Sequence, residues 1–265
     1  MKLRKLDIEI TTRCNLACVM CPHGLPTGYP GARDAEEDLV DRIIEFSEHV
    51  DIIQPTGVGE PLLASGFWKI VDFLRHKKTP KLMFITNGVL LTKASISRLS
   101  DVPISWVNVS VDAANPLTYA RIRGNEMDKT IGGISRLVEM NAKRAVDDRF
   151  EIQMSAVLMK ANITEVPEFV RLAHGLGVDR IYLEHLAETY GVQKSWNVRR
   201  DGWDFNYHDN NLINERELSD RYVMEAMDLA DSLGMTIGGN EILLIAENRD
   251  RHASRPCRLG TMAHS

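Results

Sequence analysis

Short apolar runs rich in β-branched residues recur along this chain, and between them the apolar residues return at helical spacing. Leu6 to Thr11, Asp51 to Thr56, Lys81 to Thr86, Ile104 to Asp112, Phe150 to Met159 and Arg180 to His185 read as strands. Leu39, Ile43 and Phe46 share a helical face, and Gly66 to His76 is helical. Val166, Phe169, Val170 and Ala173 share a face of a helix from about Thr164, as do Leu218, Tyr222, Ala226, Leu229 and Leu233 of a helix over Glu215 to Leu233. Such alternation builds a parallel sheet through right-handed crossovers. Six strand-helix units predict an α/β fold, an open or closed TIM-like barrel smaller than the eightfold barrel of about 250 residues. Of the two, the open form is expected, a partial (β/α)6 barrel with a lateral opening. It is expected over residues 1–237, with a short carboxyl-terminal appendage over 238–265.

The strands also indicate what the barrel holds. In the fourth strand Val107, Val109 and Val111 alternate with Trp106, Asn108, Ser110 and Asp112, and period-two alternation puts the two sets on opposite faces. The valines suit the helix-covered outside, which turns the polar set inward. The same split sends Asp7, Glu9 and Thr11, Gln153 and Ser155, and Tyr182 and Glu184 into the lumen. A barrel that is only a core fills its interior with branched apolar side chains. A polar lining predicts a lumen that holds a ligand, and the alternative for any one residue is a partnered structural role.

With 44% hydrophobic and 26% charged residues and a formal charge of −5, the chain reads as soluble and globular. No apolar run approaches the roughly 20 residues of a membrane span, and no apolar stretch follows the basic amino terminus, so neither a membrane partner nor a secretory signal is expected. A nucleic-acid surface would need a basic excess. Between Ala187 and Asn214 runs a polar connection with Trp196, Arg199, Arg200, Trp203, Phe205, Tyr207 and His208; its place after a strand's carboxyl end makes it a candidate lid or substrate loop.

Three of the four cysteines, Cys14, Cys18 and Cys21, are clustered just after the first strand, on the face where barrel enzymes build their sites. Three thiolates on a short loop can hold three irons of a cubane and leave the fourth open, and an open position is the mark of a reactive metal site. Two other readings exist: a structural zinc completed by His23, and a ferredoxin-type carrier, which needs a fourth cysteine nearby. Cys257 is remote in sequence.

The stretch Ile8-Glu9-Ile10-Thr11-Thr12-Arg13-Cys14-Asn15-Leu16-Ala17-Cys18-Val19-Met20-Cys21-Pro22-His23 resembles the cluster loop of the radical S-adenosylmethionine (SAM) superfamily. The resemblance implies a [4Fe–4S] cluster on Cys14, Cys18 and Cys21 whose open iron chelates SAM, reductive cleavage of SAM to methionine and a 5′-deoxyadenosyl radical, and a flavodoxin- or ferredoxin-type reductant. Met20 stands where the family usually has an aromatic residue against the adenine, and a methionine also supplies an apolar contact.

Further motifs fall in the order the resemblance requires. Gly57-Val58-Gly59-Glu60-Pro61 resembles the family's glycine-rich turn for the SAM ammonium: glycines permit close backbone approach, and Glu60 adds a negative charge. Thr86-Asn87-Gly88 is similar to the family's third-strand ending, which brings Asn87 to the cofactor. Ser110 and Asp112 with Arg121-Ile122-Arg123-Gly124 resemble the segment at the SAM carboxylate and ribose, with Arg123 as the carboxylate's partner. Val157-Leu158-Met159-Lys160-Ala161-Asn162 resembles the fifth-strand ending beside the adenine, which brings in Leu158.

Arg255-Pro256-Cys257-Arg258-Leu259-Gly260 looks like the entry to the SPASM or twitch domain that some relatives carry for auxiliary clusters. One cysteine cannot hold a cluster, so an auxiliary cluster is expected only if the chain continues. Otherwise Cys257 is a hydrogen-atom donor, as in the family's epimerases, or an inert thiol. The expected activity is hydrogen abstraction from a polar substrate of sugar or aminoglycoside type, ending in oxidation or epimerisation, with Glu9 and Glu184 as candidate catalytic carboxylates. Peptide epimerisation or crosslinking is the alternative within the family; a non-catalytic iron–sulfur or zinc module is the alternative outside it. An oxygen-sensitive cluster places the chain in a reducing cytoplasm.

Overall fold

The computed structural model describes residues 3–25, 27–187, 197–239, 242–245 and 247–248. Strands β1 (Leu3–Ile8), β2 (Val50–Pro55), β3 (Lys81–Thr86), β4 (Ile104–Ser110), β5 (Glu151–Leu158) and β6 (Arg180–His185) lie in sequence order in one parallel sheet. Helices α1 (Glu37–Phe46), α2 (Ser65–Leu74), α3 (Lys93–Leu99), α4 (Pro116–Arg123), α5 (Met127–Ala142) and α6 (Val166–Leu176) form the crossovers. After β6 come a two-stranded antiparallel hairpin, β7 (Asn197–Arg200) and β8 (Trp203–Asn206), then α7 (Tyr207–Asn210) and α8 (Arg216–Leu233). A seventh strand, β9 (Thr236–Gly238), joins the sheet beside β6 and runs across the boundary expected at residue 237. β1 and β9 are the two ends of the sheet order, so the barrel is open among the described residues.

Local chemistry starts and stops these elements. Asn115 caps α4 by accepting from the Leu117 N–H, Pro116 occupies its first turn, and Gly124 at φ 107° ends it. α6 and α8 end on Gly177 and Gly234, both left-handed. The main core lies between the sheet and its helices: Val107, Val109, Met154, Ile181 and Leu183 are fully enclosed on the outer face with Phe67, Val170 and Ala226.

Several expected details shift. β1 ends at Ile8 instead of continuing to Thr11, because the next residues pair elsewhere: Thr12 N–H donates to Arg33 O and Ala35 N–H to Ile10 O, at 2.8 Å each. In α1 the buried residues are Val40 and Ile43, whereas Leu39 and Phe46 are exposed. The deepest line of α8 is Ser219, Asp220, Val223, Ala226, Met227 and Ala230, one position round from the expected face. Asp220 explains the rotation: its fully buried carboxylate accepts from the Leu244 and Ile245 N–H groups and from Asn248, tying the following segment to the helix.

Candidate cofactor site

The cysteine loop leaves β1 at the carboxyl end of the sheet. Leu16 N–H donates to Cys14 Sγ at 3.5 Å, Cys21 N–H to Cys18 O at 3.0 Å, and Val19 N–H reaches across to Ile122 O in α4 at 2.9 Å. Leu16, Cys18 and Val89 form a small apolar cluster against which Cys14, Met20 and Cys21 rest. All three cysteines are free thiols. Burial pushes Cys14 up to about 11 and Cys21 to about 12, and it raises Cys18 as well against the favourable charge of Arg123. Cys18 further raises Cys14, and both raise Cys21, so the three sulfurs lie within electrostatic reach of one another. Such thiols keep their protons until a metal replaces them. Among the described residues no three His, Cys, Asp or Glu converge on a single-ion position. Thiolates that each take a different iron need no such point, so the loop suits a cluster with one ligand per iron.

The turn after β2 is built against this loop. A Cβ on Gly59 would lie 2.5 Å from both Arg13 O and Thr11 O, and one on Gly57 would lie 2.4 Å from the Glu9 side chain. Glu60 N–H donates to Arg13 O at 2.7 Å, and Val58 N–H to Glu9 Oε1 at 2.8 Å. The buried Glu60 carboxylate serves the fold: Oε1 accepts from Leu62 N–H at 3.2 Å and Thr86 Oγ1 at 2.7 Å, and Oε2 from Asn87 N–H at 2.8 Å. Burial raises its pKa against these three bonds. A carboxylate offers about four lone-pair positions, so one is left for a further donor.

Asn87, at the end of β3, donates from Nδ2 to Asn15 Oδ1 at 2.9 Å and to Cys14 Sγ at 3.8 Å. Opposite it, Arg123 ends α4 and donates from Nη1 to Asp112; both residues are almost fully buried, and Arg123 Nε has no hydrogen-bond partner. Burial opposes the guanidinium charge, but the Cys18 sulfur and Asp112 outweigh it and raise the Arg123 pKa.

Of the residues expected to line the lumen, those of β4 and β5 satisfy one another, whereas Thr11 instead donates to Asp34 at 2.7 Å and Asp7 is exposed in an ion pair with Lys5. Asn108 Nδ2 donates to Ser155 Oγ at 2.9 Å and Gln153 Nε2 to Asn108 Oδ1 at 3.3 Å. Ser110 and Tyr182 are half-buried, and Glu9 is exposed at the end of β1. Glu184, exposed at the end of β6, has a pKa raised by partial burial of its carboxyl and by the charge of Asp112. Leu158 is fully buried in the main core, so Val157 and Ala161 are the half-buried members of its segment. Cys257 and Trp196 lie outside the described residues.

The polar connection holds a feature that periodicity alone missed. Asp201 and Gly202, with φ of 49° and 78°, close the β7–β8 hairpin. The Asp-Gly pair between alternating residues is a hairpin signal available in the sequence. Val198, Phe205 and Tyr207 bury against Val19, Ile122, Met159 and Leu186, with Met20, Val157, Ala161 and Trp203 at the margin. The hairpin is therefore one wall of the site.

An open parallel α/β barrel with a desolvated three-thiol loop at its carboxyl face defines a class of metallocofactor enzyme. The radical SAM superfamily domain matches residues 8–173, and the chain belongs to that superfamily. Membership makes it a radical SAM enzyme, a class whose cofactors are a [4Fe–4S] cluster and SAM. The chain is 34% identical over 186 residues to a GTP 3′,8-cyclase from Rhodopseudomonas palustris, covering 68% of this chain and 52% of that one. To an AdoMet-dependent heme synthase from Methanosarcina barkeri it is 26% identical, covering 70% and 51%. It thus spans about half the length of these relatives. In fold it resembles Streptococcus suis SuiB bound to S-adenosylmethionine, with a TM-score of 0.65 at 17% identity over 90% of this chain and 51% of SuiB. No described helix is long and apolar enough to cross a membrane.

Proposed function

We propose that Cys14, Cys18 and Cys21 ligate the cluster and that the chain abstracts hydrogen from a C–H bond of a polar, hydroxylated small molecule. The observation that carries this reading is three desolvated thiols on one short loop beside a buried Arg123 whose Nε is unpartnered. When bound, the cluster supplies the electron that cleaves SAM and releases the hydrogen-abstracting radical. Arg123 offers its free Nε to the SAM carboxylate, and the Gly57–Glu60 turn presents carbonyls and the remaining Glu60 lone pair to the ammonium. Met20, Val157 and Ala161 give the adenine an apolar margin.

Glu184 is the proposed proton acceptor for substrate oxidation, because partial burial and the charge of Asp112 raise its pKa and make it a stronger base than an ordinary carboxylate. The names of the relatives put a nucleotide beside the sugars as a polar substrate, so GTP belongs in the first panel of compounds. The test is anaerobic reconstitution with iron and sulfide, then dithionite and SAM with sugars, aminoglycosides, GTP and peptides. Formation of 5′-deoxyadenosine above a Cys14→Ala control supports the ligand assignment, and its absence overturns it. Cleavage stimulated by peptides alone overturns the small-molecule reading.

A further inference from the structure

Arg200 ends β7, outside the segment that matches the family. Its Nη1 donates to Ile122 O at 3.0 Å and to Arg121 O at 3.4 Å, and its Nη2 donates to the carbonyl of Ala17, the residue directly before Cys18. Ile122 O is also the acceptor for Val19 N–H, at 2.9 Å. One carbonyl at the end of α4 thus gathers a bond from the cysteine loop and a bond from the hairpin, and the same guanidinium grips the loop a second time. The last carbonyls of a helix have no intrahelical partner and carry partial negative charge, so a cation there is stabilised. The planar fork of arginine spans two carbonyls in a way that a lysine point charge cannot.

Apolar contacts hold the fork in place. Val198 and Phe205, flanking the Asp201–Gly202 turn, bury against Val19 of the loop and Ile122 of α4, so the hairpin and the loop share one small core. The two nearby cations differ in role. Arg123 is offset by Asp112, whereas Arg200 meets backbone carbonyl oxygens and, among the described residues, forms no ion pair with a carboxylate.

We propose that Arg200 is a positioning residue for the cysteine loop: it ties Ala17 to the end of α4 and fixes a positive charge beside Cys18, which favours the reduced state of the cluster held there. This rests on the assignment of Cys14, Cys18 and Cys21 as cluster ligands. A fixed cation stabilises added negative charge on the thiolate-bound iron, and charge near a cluster sets its potential.

The test uses the full chain, reconstituted anaerobically, as wild type, Arg200→Gln, Arg200→Lys and Arg171→Ala, the last a remote surface cation on α6. Two readouts are taken: iron loss to a chelator, and the cluster midpoint potential by spectroscopic titration. Arg200→Gln is expected to lose iron about tenfold faster, the scale of one charge-assisted hydrogen bond, and to show a lower potential. Arg200→Lys is expected to keep the potential near wild type while still losing iron faster. Arg171→Ala should change neither. An Arg200→Gln chain matching wild type in both readouts overturns the proposal. If Arg200→Gln does not fold, Arg200→Lys decides, and iron retention equal to wild type overturns the clamp. Failure of the wild-type chain to take up any cluster overturns the ligand assignment and this proposal together. A stable wild-type cluster indifferent to Arg200 overturns this proposal alone.

Discussion

Asp112 and Arg123 form an ion pair that is almost completely buried, and Asp112 holds its end from a left-handed backbone at φ 68°. The same aspartate accepts from Val157 N–H through Oδ1 at 2.8 Å, and its carbonyl accepts from Asn162 Nδ2. One residue therefore joins the end of β4, the end of β5 and the last turn of α4. Removing one partner of such a pair strands the other charge, at a cost of about 3–5 kcal/mol. Asparagine tolerates the left-handed backbone, so Asp112→Asn isolates the charge effect. Chemical unfolding of the apoprotein should show that loss, and Arg123→Met in the Asp112→Asn background should recover part of it. No recovery would mean that Asp112 acts through its backbone contacts alone.

The two glycines of the turn after β2 differ in what a side chain would strike. At Gly59 a Cβ meets the backbone carbonyl oxygens of Thr11 and Arg13, within the three residues before Cys14. At Gly57 it meets only the movable Glu9 side chain. Gly59→Ala is expected to displace the loop and abolish iron uptake, whereas Gly57→Ala should retain it after Glu9 swings aside. Equal iron content in the two variants would show that the turn does not support the loop.

Glu60 spends three acceptor positions on Leu62, Thr86 and Asn87. Glu60→Gln replaces one oxygen with an amide NH2, which faces either the Asn87 N–H or the pair formed by Leu62 N–H and Thr86 Oγ1. A buried donor left without an acceptor costs about 1–3 kcal/mol. Thermal unfolding of the apoprotein should report that loss before any cofactor is added. An unchanged transition would mean that the carboxylate's worth lies wholly in cofactor binding.

Strand alternation was readable because the outward valines are buried under helices whatever the inner face does, and β3 and β6 fall where periodicity put them. Helix faces were harder. In α1, Leu39 and Phe46 keep helical spacing with Ile43 yet stay exposed, while Val40 takes the core position. Period says which residues share a face but not which side meets the sheet. In α8 a buried aspartate sits on the core side, which an apolar count cannot anticipate. The cysteine loop and the glycine turn were legible as motifs. The Asn108–Ser155–Gln153 network was legible only as polarity, since nothing local says whether a lumen residue meets a ligand or its neighbour across the sheet. Arg200 was hidden for the same reason: its grip on Ala17 spans nearly the whole barrel in sequence.

The raised thiols give the apoprotein a characteristic pH dependence. Burial lifts Cys14 and Cys21 from 9.0 to about 11 and about 12. The folded chain therefore binds more protons than the unfolded chain through that window, and stability falls as pH rises wherever the native state holds the extra protons. Both thiols are protonated in both states well below pH 9.0, so their share of stability is present there and is lost as pH climbs toward their folded values. Chemical unfolding of the reduced apoprotein on either side of pH 9.0 should show the decline, and Cys14→Ala with Cys21→Ala should flatten it relative to wild type. Loading the cluster exchanges those protons for iron, so the reconstituted chain should lose the slope as well. A decline of equal size in the wild-type and cysteine-free chains would assign it to lysines and tyrosines elsewhere and would mean that the loop thiols are not shielded from water.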